Sequence, residues 1–154
     1  MKRRLSRGDF AIWVAFALFL TVIGVVHAPA QDSNPITLGV SLSLTGKYQE
    51  PASMILAGYK LWEADVNSRG GLLGRPVEII VVDDESSPEN VRRAYIELID
   101  QRNVDLLLAP YSTPLTLVAA EIAEQAGMVL IATGASGSSI WEQGHEMVFG
   151  TYAL

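Results

Sequence analysis

Hydrophobic and polar positions alternate in blocks along this chain. One block, Phe10 to Val26 (FAIWVAFALFLTVIGVV), is almost wholly apolar. After it, short apolar runs recur at residues 36–42, 76–82, 104–108, 128–132 and 147–150. Each has the length of a strand, and PVEIIVV at 76–82 is rich in β-branched residues. The segments between them carry helical periodicity. Over residues 51–67, Ile55, Tyr59, Trp62 and Val66 form an apolar stripe that Gly70 and Gly71 stop. Ser87-Pro88-Glu89 supplies an N-cap, a proline at the first helical position and an early acid. The helix it opens puts Val91, Ala94, Tyr95 and Leu98 on one face. Thr113-Pro114 opens a third helix, with Leu115, Val118, Ala119, Ile122 and Ala126 inward and Gly127 at its end. Ser139 to Glu142 has the Ser-x-x-Glu form of a capping box, which predicts a short helix there.

The runs at 104–108 and 128–132 are nearly continuous in apolar residues, as strands covered on both faces by helices are. Helical crossovers imply parallel pairing with right-handed connections. The fold class is therefore α/β, a doubly wound, flavodoxin-like parallel sheet. No internal repeat or low-complexity stretch interrupts it.

The apolar run at residues 10–26 changes the domain count. Lys2, Arg3, Arg4 and Arg7 precede it, and Ala28-Pro29-Ala30 follows with the small-x-small form of a signal-peptidase site. Residues 1–30 thus read as a cleaved signal peptide. The run is long for a signal core, and the alternative is an uncleaved anchor that holds the chain at the inner membrane. Residues 31–154 hold seven cations and 16 acids, a net charge of −9. An exported domain of that charge is not a nucleic-acid binder. The chain has no cysteine, which excludes disulfides, zinc–thiolate clusters and a lipid-anchored precursor.

In such a sheet, ligands bind beyond the carboxyl ends of the strands, where strand order reverses. Three loops are expected to converge there: 43–50 (SLTGKYQE), 110–113 (PYST) and 133–139 (TGASGSS). They are rich in small and hydroxylic residues. The second and third lead into helix N-termini, whose free amides suit an anion such as a carboxylate. Ser112, Thr113, Ser136 and Ser138 add hydroxyls, and Tyr48 and Tyr111 supply apolar walls with polar tips. The competing reading of each hydroxyl taken singly is a helix cap.

Catalytic readings fail on the residues. The first loop has only Gly46 where a dinucleotide site needs three glycines, and Asp83-Asp84-Glu85 then reads as a solvated turn before a helix cap. Gly46-Lys47 lacks the first glycine and the hydroxyl of a phosphate loop. Gly134 to Ser138 misses the nucleophile elbow at its last position. His145 has no evident metal partners and reads as a surface residue. No catalytic residue, metal ligand or cofactor is assigned.

The runs ITLGVSLSLTGKY, NSRGGLLGRPVEIIVVDDESSPE, DLLLAPYSTPLT and VLIATGASGSS resemble the type I periplasmic binding proteins, in particular the leucine/isoleucine/valine-binding group that serves ABC transporters. The resemblance covers nearly all of residues 36–153. Its most specific part is Gly70 to Pro76 (GGLLGRP), which reads as a turn signature of the fold rather than a ligand site. The first loop departs from the group, with Gln49-Glu50-Pro51 where small residues are common. The resemblance implies a non-enzymatic receptor of two lobes that closes on a branched-chain amino acid or a related amino acid or amide, docks on an ABC transporter permease and works in the periplasm. It implies that residues 31–154 are part of the N-terminal lobe, a fragment of such a receptor. Carried over by motif, the ligand contacts fall on Ser112 or Thr113 and on Gly134, Ala135 and Ser136, with Tyr48 and Tyr111 lining the pocket. A rival within the binding class is the extracytoplasmic sensor domain of a membrane-anchored receptor.

Overall fold

The computed structural model describes residues 34–151. The expected leader, residues 1–30, lies outside the described residues. Among those described, no helix is long and apolar enough to cross a membrane.

Five parallel strands form one sheet in the order β2-β1-β3-β4-β5, as the alternating pattern predicts. β1 is Ile36–Leu42 and β2 is Val77–Asp83, paired from Ile36 opposite Val77 to Leu42 opposite Asp83. β3 (Leu106–Leu108), β4 (Leu130–Ala132) and β5 (Val148–Gly150) are shorter than the apolar runs that mark them. The helices are α1 (Gln49–Ser68), α2 (Pro88–Asp100) and α3 (Thr113–Ala126).

The sheet carries a core on each face, because side chains alternate along a strand. On one face Ile36, Leu38, Val40 and Leu42 of β1 and Val77 and Ile79 of β2 pack against Ala52 and Val66 of α1. On the other, Leu107, Leu130 and Val148 meet Val91, Tyr95 and Leu98 of α2 and Leu115, Ala119 and Ile122 of α3. The inner face of α2 is the predicted one, residue for residue.

Two helix faces differ from expectation. On α1, Val66 is buried and Ile55 and Tyr59 are half-buried, but Trp62 is 37% exposed. Among the described residues α1 is the one helix on its face of the sheet, so no neighbouring helix covers its flanks. On α3, Ala126 is exposed, while Thr116, Ala120 and Ala123 are buried. The α2–α3 packing rotates the buried stripe of α3 toward its small residues.

The turn between α1 and β2 behaves as its sequence requires. Leu72 and Arg75 exchange two backbone hydrogen bonds of 2.9 Å around Leu73 and Gly74, both with positive φ. That is the geometry of a tight two-residue hairpin. The predicted capping box does not form. Residues Ser138–Gln143 make a 3₁₀ helix whose N-cap is Gly137, with no side-chain cap.

Candidate functional site

All five strands end on the same edge of the sheet, and α1 and α3 leave β1 and β3 toward opposite faces. The point between β1 and β3 is where the connections diverge. The loop after β1 (loop 1, 43–48), the loop after β3 (loop 2, 109–112) and the loop after β4 (loop 3, 133–137) lie there.

The three loops touch through named groups. The Tyr48 and Tyr111 rings meet edge to face, with centroids 5.5 Å apart at 69°, joining loops 1 and 2. The Ser112 amide donates to the Gly134 carbonyl at 3.1 Å, joining loops 2 and 3. The Gly137 amide donates to the Thr113 hydroxyl at 3.0 Å, tying loop 3 to the first residue of α3. Thr133 hydrogen-bonds the Tyr59 hydroxyl of α1. Burial pushes the Tyr59 phenol above its ordinary pKa, against the opposing effect of that bond. Gly134 is where loop 3 comes closest to its neighbours. A Cβ there would lie 2.6 Å from Ile55 Cδ1 and 3.4 Å from the Tyr111 Cα.

Ser112 is the N-cap of α3, yet its hydroxyl makes no cap. Its Oγ is buried without a hydrogen-bond partner. Its backbone, at φ 80° and ψ 146°, lies in a region that residues with a Cβ rarely occupy. A buried hydroxyl left unpaired costs about 1–3 kcal/mol. Two unfavourable features thus coincide on one residue at a helix N-terminus. Thr113 does not cap either, since its hydroxyl is spent on the Gly137 amide. The competing reading of these two hydroxyls as helix caps is therefore excluded.

The remaining predicted residues divide. Ser136 is exposed at the sheet edge. Ala135 is buried in the core on the α2–α3 face, so its methyl serves packing.

Asp83-Asp84-Glu85 is not a solvated turn. Asp84 is fully buried. Its carboxylate accepts the Ser43 hydroxyl at 2.6 Å, the Ser41 hydroxyl at 3.1 Å and the Ser86 amide at 2.9 Å. Asp83 accepts the Leu44 amide at 3.0 Å, the Thr45 hydroxyl at 2.9 Å and the Glu85 amide at 2.9 Å. Burial acts to raise the Asp83 pKa, but these bonds together hold it below the ordinary value of 3.8. A signal for the pair was present in β1. Ser41 and Ser43 fall two apart at the end of a buried strand, on one face, where hydroxyls need a partner.

His145 is half-buried rather than fully exposed. Its side chain is 17% exposed, with Nδ1 3.9 Å from the Glu124 carboxylate. Glu124 also accepts the Met147 amide at 2.9 Å and the Glu146 amide at 3.1 Å. This cluster precedes β5, at the opposite end of the strands from the loops.

The sequence profile of the periplasmic binding protein family matches residues 35–154. A Pseudomonas aeruginosa protein described as an amino acid binding protein is 23% identical over 148 residues, 96% of this chain and 37% of its own length. Among solved structures, the branched-chain amino acid transporter substrate binding protein of Streptococcus pneumoniae, in complex with isoleucine, superposes with a TM-score of 0.72. It is 22% identical and covers 76% of this chain and 33% of its own. The solute binding protein of an ABC transporter from Rhodopseudomonas palustris, in complex with 3,4-dihydroxybenzoic acid, gives 0.68 at 28% identity, covering 76% of this chain and 31% of its own. The chain spans about a third of the length of these relatives.

Proposed function

The chain belongs to the periplasmic binding protein family, and from that premise we propose that it provides part of the first lobe of an exported solute receptor of an ABC transporter. The ligand is a branched-chain amino acid or a related amino acid or amide. Residues 31–154 are part of that lobe, and residues 1–30 are the export signal, cleaved after Ala30. The receptor works in the periplasm, performs no catalysis and delivers its ligand to the transporter permease.

One observation carries this reading: the unpartnered, buried Ser112 hydroxyl held on a strained backbone at the N-terminus of α3. Strain and an unpaired polar group persist together where function uses them. A ligand carboxylate supplies what Ser112 lacks, an acceptor, and gains from the free amides of the helix end. The two ligands named for the related structures, isoleucine and 3,4-dihydroxybenzoic acid, share a carboxylate and little else. Tyr48 and Tyr111 provide the apolar wall beside it, Thr113 and Gly134 hold the loops in register, and Ser136 offers an exposed hydroxyl.

The test is calorimetric titration of the chain with L-leucine, L-isoleucine, L-valine, their amides and aromatic carboxylates. Binding of the free amino acids, lost in Ser112→Ala, supports the reading. No heat with any amino acid or amide overturns it, and binding of the aromatic acids alone moves the ligand class. N-terminal sequencing of the exported protein checks the leader, with Gln31 as the expected first residue.

A further inference from the structure

The turn after β2 does more than connect that strand to α2. Its backbone is left-handed at two successive residues that are not glycine, Glu85 at φ 51° and Ser86 at φ 60°. Such residues persist in that region only where their surroundings over-determine them. Here the surroundings are the two aspartates. Asp83 takes the Glu85 amide and Asp84 takes the Ser86 amide, while Asp84 is itself anchored by Ser41 and Ser43 of the first strand and loop 1.

The outcome is the position of one hydroxyl. Ser86 Oγ accepts the Tyr48 amide at 3.0 Å and donates to the Thr45 carbonyl at 3.0 Å. One atom thus spans the bend of loop 1 from position 45 to position 48. Gly46 lies inside that bend, where a Cβ would come within 2.7 Å of both the Glu85 carbonyl and Ser86 Oγ. Tyr48 is the last residue before α1, and its ring carries the contact to Tyr111. The Lys47 ammonium lies 4.6 Å from the centre of the same ring.

We propose that Ser86 is a positioning residue for the ligand cleft: its hydroxyl, aimed by the Asp83–Asp84 turn, fixes the Tyr48 ring against Tyr111, so that loops 1 and 2 present one preformed wall. The use of that wall rests on the receptor reading above; the contact itself does not. Preformed walls raise affinity by removing the ordering cost from the binding step.

On the full chain, Ser86→Gly removes the hydroxyl while suiting the left-handed backbone, so the turn is kept. Ser87→Ala removes the neighbouring hydroxyl, which makes no cap bond, and is the matched control. Two-dimensional NMR reads the contact between the Tyr48 and Tyr111 rings and the exchange of the Tyr48 amide. Titration with L-leucine reads binding. Ser86→Gly is expected to abolish the ring contact, speed amide exchange and weaken leucine binding by about three- to tenfold, the range of one lost hydrogen bond. Cooperative unfolding is retained, and Ser87→Ala changes nothing. A Ser86→Gly protein with wild-type ring contact and amide exchange overturns the proposal. So does one that loses the contact yet binds leucine as tightly as before. Failure of the wild-type chain to bind leucine counts against the receptor reading alone, and the ring contact still decides whether Ser86 sets Tyr48.

Discussion

The Ser112 amide donates to the Gly134 carbonyl at 3.1 Å, while the Ser112 hydroxyl, on the same residue, is buried with no partner. The backbone of Ser112 is committed to holding loops 2 and 3 together, and its side chain is left unpaired. The same residue carries the positive φ of 80° at the N-cap of α3.

Ser112 should therefore show opposed effects on stability and binding. Ser112→Gly relieves backbone strain of about 1–3 kcal/mol, offset in part by about 0.5–1 kcal/mol of unfolded-chain entropy. It is expected to match or exceed the wild type in urea unfolding. Ser112→Ala keeps the strain but removes the unpaired hydroxyl, and should be no less stable. Both should bind L-leucine at least about tenfold more weakly, the scale of a hydrogen bond to a charged group. Paired denaturation and calorimetry check this, and unchanged affinity in both variants argues against a ligand role.

Gly134 and Ile55 should be coupled. Gly134→Ala drives a methyl to within 2.6 Å of Ile55 Cδ1, the end of a flexible side chain. Overpacking of this kind costs about 1–3 kcal/mol. Adding Ile55→Val removes that terminal carbon and should recover most of the loss, although Ile55→Val alone destabilises by about 1 kcal/mol. A double-mutant cycle by urea unfolding reads the coupling, and strict additivity speaks against the close approach.

Asp84 should be among the costliest polar positions. Asp84→Ala leaves the buried Ser41 and Ser43 hydroxyls and the half-buried Ser86 amide without their acceptor. The expected loss is about 3 kcal/mol or more. Asp84→Asn keeps one acceptor oxygen and should cost less. A loss under about 1 kcal/mol for the alanine variant would falsify the buried network.

Acid should loosen loop 1. The folded pKa of Asp83 lies below 3.8, so the unfolded state takes the proton first as pH falls. The stabilisation is complete above the unfolded value and is lost as pH drops through the folded one. Asp105 adds to the same trend, because the Thr37 amide and hydroxyl hold its carboxylate low. Melting temperatures measured from pH 6 down to pH 3 should fall, with a shallower slope in Asp83→Asn. An identical slope in that variant removes Asp83 from the explanation.

Most of the architecture was legible because it depends on local pattern. The strand run at 36–42 is observed to the residue, and the inner face of α2 was read from four positions. Alternation of strands and helices fixes parallel pairing, and handedness then places the loops at one edge. The convergence of the three loops at that edge followed, since it is a property of topology. Trp62 and Ala126 were misread because periodicity says which residues share a face and not which neighbours cover it.

What the sequence determined by itself is the fold class, the family and the three loops that gather at the carboxyl edge of the strands. What only the tertiary structure decided is the work of each polar group in and around those loops. Asp83 and Asp84 look like a solvated acidic turn until β1 and β2 are paired, with Leu42 opposite Asp83. Ser112 and Thr113 look like interchangeable caps until Gly137 and Gly134 are brought beside them. Hydrogen bonds are short-ranged and directional. A chain can therefore announce that hydroxyls and carboxylates gather at one edge, but which are spent on the scaffold and which is left unpaired is settled by contacts between residues tens of positions apart.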